Sequence, residues 1–471
     1  MTHRLGTAAF VTGLLLAGIV PGISAQESSD QLQLAIVVPV SSGPLFTADG
    51  RPAGDAADRL TSIGDALDAL TRPELAELPF ALAVSPLFCD ETVRFGGPLA
   101  GRVTTLLRQL SSRLPVLGAP YADVRLPDLG SPRAVARELA AGRTTLGSCA
   151  GVQPVDIVFP PDLVIDAGVL DGVVDGGATA ALAPADRFPG DPVRFGDLTF
   201  VPALTIPPGA APNDALITFG ARTAAAALLD PVRPDLTTFL IALANDPRIA
   251  LRTLSDLTGE PAPQSVTLPT APAPPDAYLS SVAGARRALA RFRSYTLPDN
   301  RLAAILTTAV GRARSSAEWD GRWSVGRRRA ATVTATVMRQ QELVSAAQGS
   351  VTFTSRRGSV PVTVTNDATY PVRVRVSLQS SKLAFPDGAA RVVTVDPPGD
   401  TTVFGALARS TGAFPVQVRV TSPEQSIVFH SGELTVRSTA ANLPALILTA
   451  GGALFLAGWS LRQVRRRRHG A

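Results

Sequence analysis

Acidic side chains placed just after apolar runs are the part of this sequence best able to do chemistry. Asp90 and Glu91 follow the run 80–84 (FALAV), Asp123 follows 116–118, and Asp162 follows 156–159 (DIVF). If those runs are parallel strands, the acids lie at carboxyl ends, where parallel-barrel enzymes keep their reacting groups. Two carboxylates suffice for glycoside hydrolysis, one donating a proton and the other attacking or activating water. The same acids could serve structure alone: Asp90 and Glu91 by capping a helix, Asp123 by holding a turn. Tyr121 stands two residues before Asp123. A tyrosine ring stacks on sugar C–H groups and an acid accepts from sugar hydroxyls, so Tyr121 with Asp123 is the candidate glycan-binding pair. The rival reading makes Tyr121 a plain core residue.

Histidine chemistry is excluded from most of the chain. The three histidines are His3, His430 and His469, and none falls in the first half of the body. A metal-dependent deacetylase needs an Asp and two His around its ion, and a Ser-His-Asp triad also needs imidazole. His430 sits alone in a strand pattern and is read as structural. No metal-ligand spacing, phosphate loop or nucleotide fingerprint occurs, so no metal and no cofactor are expected. Cys89 and Cys149 are the only cysteines. They are the disulfide candidate, although one follows a strand and the other precedes one, which in a simple barrel places them at opposite ends. Neither has a nearby base to make it a nucleophile.

The elements that must position these residues alternate. Apolar runs at 34–40, 80–84, 116–118, 156–159 and 179–183 read as buried strands. Between them Leu60, Ile63, Leu67 and Leu70, then Val103, Leu106 and Leu110, mark helix faces. Later signals are less regular: 198–201, a helix around 214–229, and the run 238–243 (TFLIAL). Repeated β-then-α units predict a parallel sheet over 32–258, open or closed into a barrel. Residues 259–276 read as a Pro-rich linker or extended wrap. Helical runs fill 277–348, at 278–292, 299–315 and 330–347. From 350 to 438 the period switches to two, as in Val360, Val362, Val364 and Val372, Val374, Val376, predicting an antiparallel, Ig-like β-sandwich.

The ends read as targeting signals. Residues 1–25 resemble a signal peptide, with an apolar run after Arg4 and small residues before Gln26. Residues 443–461 carry no charge and are expected to cross a membrane once, with 462–471 as a basic cytoplasmic tail. The ectodomain would then lie outside. The formal charge is +5 and the pI about 9.8. Arg4 and the five arginines of the last ten residues account for it. The near-neutral body excludes a phosphate-backbone footprint, and no nucleic acid is expected.

Several patches resemble a family of uncharacterised actinobacterial envelope proteins, domain of unknown function 6049. They are 353–366 (FTSRRGSVPVTVTN) with 370–376 (YPVRVRV), 315–319 (SSAEW), 120–123 (PYAD) and 159–162 (FPPD). The resemblance implies a middle domain similar to glycoside-hydrolase and polysaccharide-deacetylase barrels. It also implies a link to cell-wall assembly, with a lipid II flippase as a partner. The expected function is a non-catalytic envelope protein whose degenerate barrel binds a glycan or a membrane partner. The alternatives are an acting glycoside hydrolase, using Asp123 with Asp90, Glu91 or Asp162, and a mechanical spacer.

Overall fold

A computed structural model describes residues 31–188, 191–219, 222–259, 262–263, 268, 271–319, 321–347, 349–439 and 443–468. The expected signal peptide at 1–25 lies outside the described residues. So does most of 259–270.

Unbroken apolar runs form strands here because both faces are covered. The barrel half contains β1 (Leu32–Val40), β2 (Phe80–Val84), β3 (Leu117–Gly118), β4 (Val155–Val158), β5 (Ala180–Pro184), β6 (Val193–Phe195), β7 (Leu198–Ile206), β8 (Ala224–Leu229) and β9 (Ile249–Arg252). Seven of them pair in the order β2-β1-β8-β7-β5-β4-β3, each pair parallel. A parallel bridge between Leu82 and Val116 brings β3 back to β2 and nearly closes the ring. Around the ring the strands follow chain order. β6 folds back antiparallel on β7, and β9 runs beside the first half of β1. Ala262–Pro263 pairs with β6, so part of the Pro-rich stretch wraps the barrel.

The two faces of each strand have different residues. Ala35, Ala81, Ala83, Ala180, Ala203 and Ala226 line one cluster with Val37, Leu182 and Leu228. Leu34, Ile36, Val38, Phe80, Leu82 and Val84 face a second cluster with the surrounding helices. Small side chains inside and large ones outside suit a narrow ring. The helices are α1 (Ala56–Leu70), α2 (Pro86–Phe95), α3 (Gly97–Ser111), α4 (Pro132–Ala150), α5 (Leu170–Asp175), α6 (Pro212–Phe219), α7 (Leu236–Ala244) and α8 (Leu254–Leu257). The helix expected around 214–229 is instead α6 followed by β8. Alanine favours helices, but the run Ala224–Ala227 is small enough for the crowded ring, and packing overrides propensity. The run 238–243 lies inside α7.

Three helices follow: α9 (Asp276–Tyr295), α10 (Arg301–Arg314) and α11 (Trp323–Glu342). They share one apolar core with the sandwich, in which the Phe292 ring meets Tyr370 and the Tyr295 ring meets Phe429 edge-on. The sandwich has sheets of four and five strands. Its pairs are antiparallel except one: Ser350–Phe353 runs parallel to Val428–Ser438. The five-stranded sheet is therefore mixed, a correction to the antiparallel expectation.

A second correction concerns the final helix, α12 (Leu443–Arg468). Among the described residues no helix is long and apolar enough to cross a membrane, which overturns the span expected at 443–461. The helix takes in five arginines, Arg462 and those at 465–468, after the apolar stretch. Leu454, Phe455 and Trp459 are exposed on it.

Candidate functional site

The carboxyl ends of the strands open onto a cavity of about 750 Å³. Ser41 and Ser42 reach it from the end of β1, Ser85 from β2, Asp123 from the loop after β3, Phe159 from β4 and Asp230 from β8. The other wall comes from the helical unit, with Ala317 and Glu318 before α11 and Arg329 on it. The site is thus shared between the barrel and the helices.

Local sequence explains each placement. Ser85 is the N-cap of α2, with Pro86 opening the helix. Its hydroxyl accepts from the Phe88 N–H at 3.2 Å and donates to Asp123 Oδ2 at 3.0 Å. The Asp123 carbonyl accepts from the Ala317 N–H at 3.1 Å, which fixes the SSAEW segment against the barrel. Ser316 of that segment donates to Asp128 at 2.6 Å and accepts from the Arg125 N–H at 3.0 Å. Trp319 is buried beneath Arg329, whose guanidinium lies 5.3 Å from the ring centroid.

Arg312, in the last turn of α10, organises the charges. Its side chain is 2% exposed and that of Glu91 is fully buried. Nε donates to Glu91 Oε1 at 3.1 Å and Nη2 to Oε2 at 2.8 Å. Glu91 Oε2 also accepts from the Leu45 N–H at 3.0 Å. The remaining nitrogen, Nη1, lies 3.6 Å from Asp123 Oδ2 and bonds Glu318. Arg329 donates to Glu318 Oε2 and to the Arg312 carbonyl, both at 3.1 Å. Burial pushes the Asp123 carboxyl above its ordinary range, against the pull of Arg312 and Ser85. Burial opposes the charge on Arg312, yet Glu91 and Asp123 together hold its pKa above the ordinary value.

Of the four acids expected at strand ends, Asp123 alone lines this cavity. Asp90 accepts from the Tyr121 hydroxyl at 2.8 Å and pairs with Arg94 at 2.8 Å. Glu91 is enclosed by Arg312. Asp162 pairs with Arg125 at 2.8 Å and accepts from the Val164 N–H at 3.1 Å. Burial raises Asp162, opposed by that backbone bond and by Arg125. Tyr121 packs with Leu87, Ala122 and Val124, and its hydroxyl is directed at Asp90. Burial, with the adjacent Asp90 charge, raises its pKa. Tyr121 and Asp123 therefore leave the β3 loop toward different partners. His430 lies opposite Val420 in the sandwich. Among the described residues no group of three or more His, Cys, Asp or Glu side chains could hold a metal ion.

Sequence reading missed Asp230, Glu318, Arg312 and Arg329. Asp230 ends the alanine run that reads as helix. Glu318 stands inside SSAEW, where the motif itself is a signal.

The structure joins Cys89 to Cys149, with their Cα atoms 6.1 Å apart. The geometric objection fails because α2 starts directly after β2 and packs against α4, so Cys89 meets the last turn of that helix. Leu146 and Ala150 share their cluster.

Comparison with known proteins gives the following. The profile described as "Family of unknown function (DUF6049)" matches residues 209–471. No curated relative matches the sequence. Among solved structures the chain is similar to a putative polysaccharide deacetylase from Mycobacterium smegmatis. That likeness has 15% identity and a TM-score of 0.37, over 52% of this chain and 96% of that one. It is also similar to the α-amylase AmyC from Thermotoga maritima, at 9% identity and a TM-score of 0.47, over 66% and 93%. A GH57 branching enzyme from Thermococcus kodakaraensis is similar at 10% identity and a TM-score of 0.44, over 66% and 90%.

Proposed function

We propose, for a chain that belongs to the DUF6049 family of unknown function, that the barrel mouth binds a glycan without hydrolysing it. The observation carrying this reading is the state of the acids around the cavity. Asp123 is held by Ser85 and Arg312, and Glu318 by Arg312 and Arg329. Hydrolysis needs two carboxylates free to act at one glycosidic bond. Asp230 is the one cavity-lining acid with no ion pair among the described residues; its Oδ1 accepts only from the Val232 N–H at 2.9 Å.

Binding makes weaker demands, and the lining meets them. Serine hydroxyls accept from and donate to sugar hydroxyls and carboxylates accept from them, while Phe159 and Leu228 offer apolar surface. The volume falls within the ~300–1,000 Å³ of small-molecule sites. The disulfide supports work in an oxidising compartment outside the cytoplasm. A role in cell-wall assembly, with a partner such as the lipid II flippase, rests on the family resemblance and belongs to the same proposal.

A second reading is favoured by Asp123 and Asp230 lining one cavity. An acid pushed up by burial beside one that is exposed is the pattern of an acid–base pair. Incubating the full-length protein with envelope oligosaccharides and α-glucans separates the readings. Saturable calorimetric binding with no new reducing ends supports the binder. Release of reducing ends that Asp230→Asn abolishes supports the hydrolase.

A further inference from the structure

A second cavity, of about 370 Å³, opens beside the barrel mouth, between α1 and the start of α7. Pro231 and Val232 line both cavities, so the loop after β8 is the ridge between them. Residues 230–235 stiffen that ridge. Pro231 and Pro234 each fix a φ angle, and Asp230 Oδ1 accepts from the Val232 N–H at 2.9 Å. Arg233 anchors the loop, its side chain 1% exposed. It forks onto Asp235 at 2.7 and 2.9 Å and donates to the Ala210 carbonyl at 3.1 Å. Its guanidinium also lies 3.9 Å from the centre of the Phe239 ring. With the loop held in this way, Val232 stays 48% exposed. A single exposed valine is ordinary on a protein surface, but this one stands between two cavities.

The walls of the second cavity suit a neutral polar chain. Ser62, Asp65 and Arg72 come from α1, and Thr237 and Thr238 from the first turn of α7. Asp65 pairs with Arg102 at 2.8 Å, and Arg233 with Asp235, so most of the charge is matched within the protein. The first N–H groups of a helix have no partner inside it. Asp235, at the N-cap of α7, makes no side-chain bond to them. The N–H and hydroxyl groups of Thr237 and Thr238 have no partner among the described residues. Threonine hydroxyls donate and accept, and amide N–H groups donate, as sugar hydroxyls require. The exposed Val232 supplies apolar surface between these groups and the mouth.

We propose that the glycan site at the mouth continues over Val232 into this second cavity, so that the ligand is an extended oligosaccharide and not one or two sugar units. This inference rests on the glycan reading of the mouth, and adds the length of the ligand and the direction it takes. Units in the mouth meet Ser85 and Asp230, and units beyond the ridge meet Thr237 and Thr238. Each cavity alone falls within the ~300–1,000 Å³ of small-molecule sites, and a chain crossing the ridge uses both.

The test titrates the full-length protein by calorimetry with malto-oligosaccharides and, separately, with N-acetylglucosamine oligomers, each from disaccharide to hexasaccharide. In the series that binds, affinity should rise by about ten-fold or more from disaccharide to hexasaccharide. Thr237→Val combined with Thr238→Val should remove most of that gain. The same double variant should keep the wild-type affinity for the disaccharide and the wild-type unfolding temperature. Val232→Ser should weaken the hexasaccharide most, whereas Ser85→Ala should weaken every length. The inference is overturned, with the mouth reading intact, if disaccharide and hexasaccharide bind alike. It is overturned in the same way if the threonine variant binds the hexasaccharide as the wild type does. Binding of no oligosaccharide in either series overturns it together with the mouth reading.

Discussion

One arginine carries more of this site than any acid. Arg312 holds Glu91, Asp123 and Glu318 at once, and two of those four side chains, Arg312 and Glu91, are buried. Removing it leaves the Glu91 carboxyl enclosed with the Leu45 N–H but without its cation. Arg312→Ala should therefore lower the unfolding free energy by about 3–5 kcal/mol, measured by urea denaturation. Asp123 gives a prediction in pH. Its folded pKa lies above the ordinary 3.8, so the folded protein keeps this proton where the unfolded chain has released it. The stability this adds is full below about pH 4 and disappears as pH rises through the folded value. The unfolding midpoint of wild type should fall relative to that of Asp123→Asn as pH is raised from 4 to neutrality. Parallel curves would show that Asp123 is not raised. At this scale the sequence was partly legible. It showed that acids follow strands, but not where their side chains go. Asp90 and Glu91 are neighbours on α2, yet one serves Tyr121 and the other Arg312.

At the scale of elements, the disulfide and the close helix contacts decide how rigid the mouth is. The bond between Cys89 and Cys149 spans 60 residues. On the chain-entropy account a loop of that length is worth about 4 kcal/mol, so Cys89→Ser with Cys149→Ser should show a loss of that order in denaturant. Gly326 of α11 sits close against the end of α10. A Cβ there would lie 2.7 Å from the Ala313 carbonyl and from Tyr278 Cε2, and 2.8 Å from Trp319 Cζ2. Gly326→Ala should cost about 1–3 kcal/mol by forcing those elements apart. It should also weaken ligand binding at the mouth, because Trp319 positions Glu318. Unchanged binding would separate the helix contact from the site. The strands before residue 184 and the helices α1 and α3 were legible from periodicity, whereas α2 was not and α4 is longer than its apolar face marks. β8 was not: Ala224–Ala227 has helical propensity, and only the narrow ring explains its pairing with β1 and β7. Asp230 was lost with it.

At the scale of the whole molecule, the barrel, the helices and the sandwich form a continuous structure whose cavity needs two of them. The helices share a core with the sandwich and place Glu318 and Arg329 over the barrel mouth. The switch from a helical to a two-residue period marked the sandwich in advance, because one face of each strand is buried and the other exposed. The run at 443–461 reads as a span because it lacks charge, but among the described residues no helix is long and apolar enough to cross a membrane. The central claim is that the mouth holds a glycan that the protein does not cut. Its most direct test is a calorimetric titration of full-length protein with envelope oligosaccharides, each sample then assayed for reducing ends. The account predicts saturable binding that Asp230→Asn or Ser85→Ala weakens, with no reducing ends formed. Absence of binding to every glycan, or release of reducing ends, would contradict it.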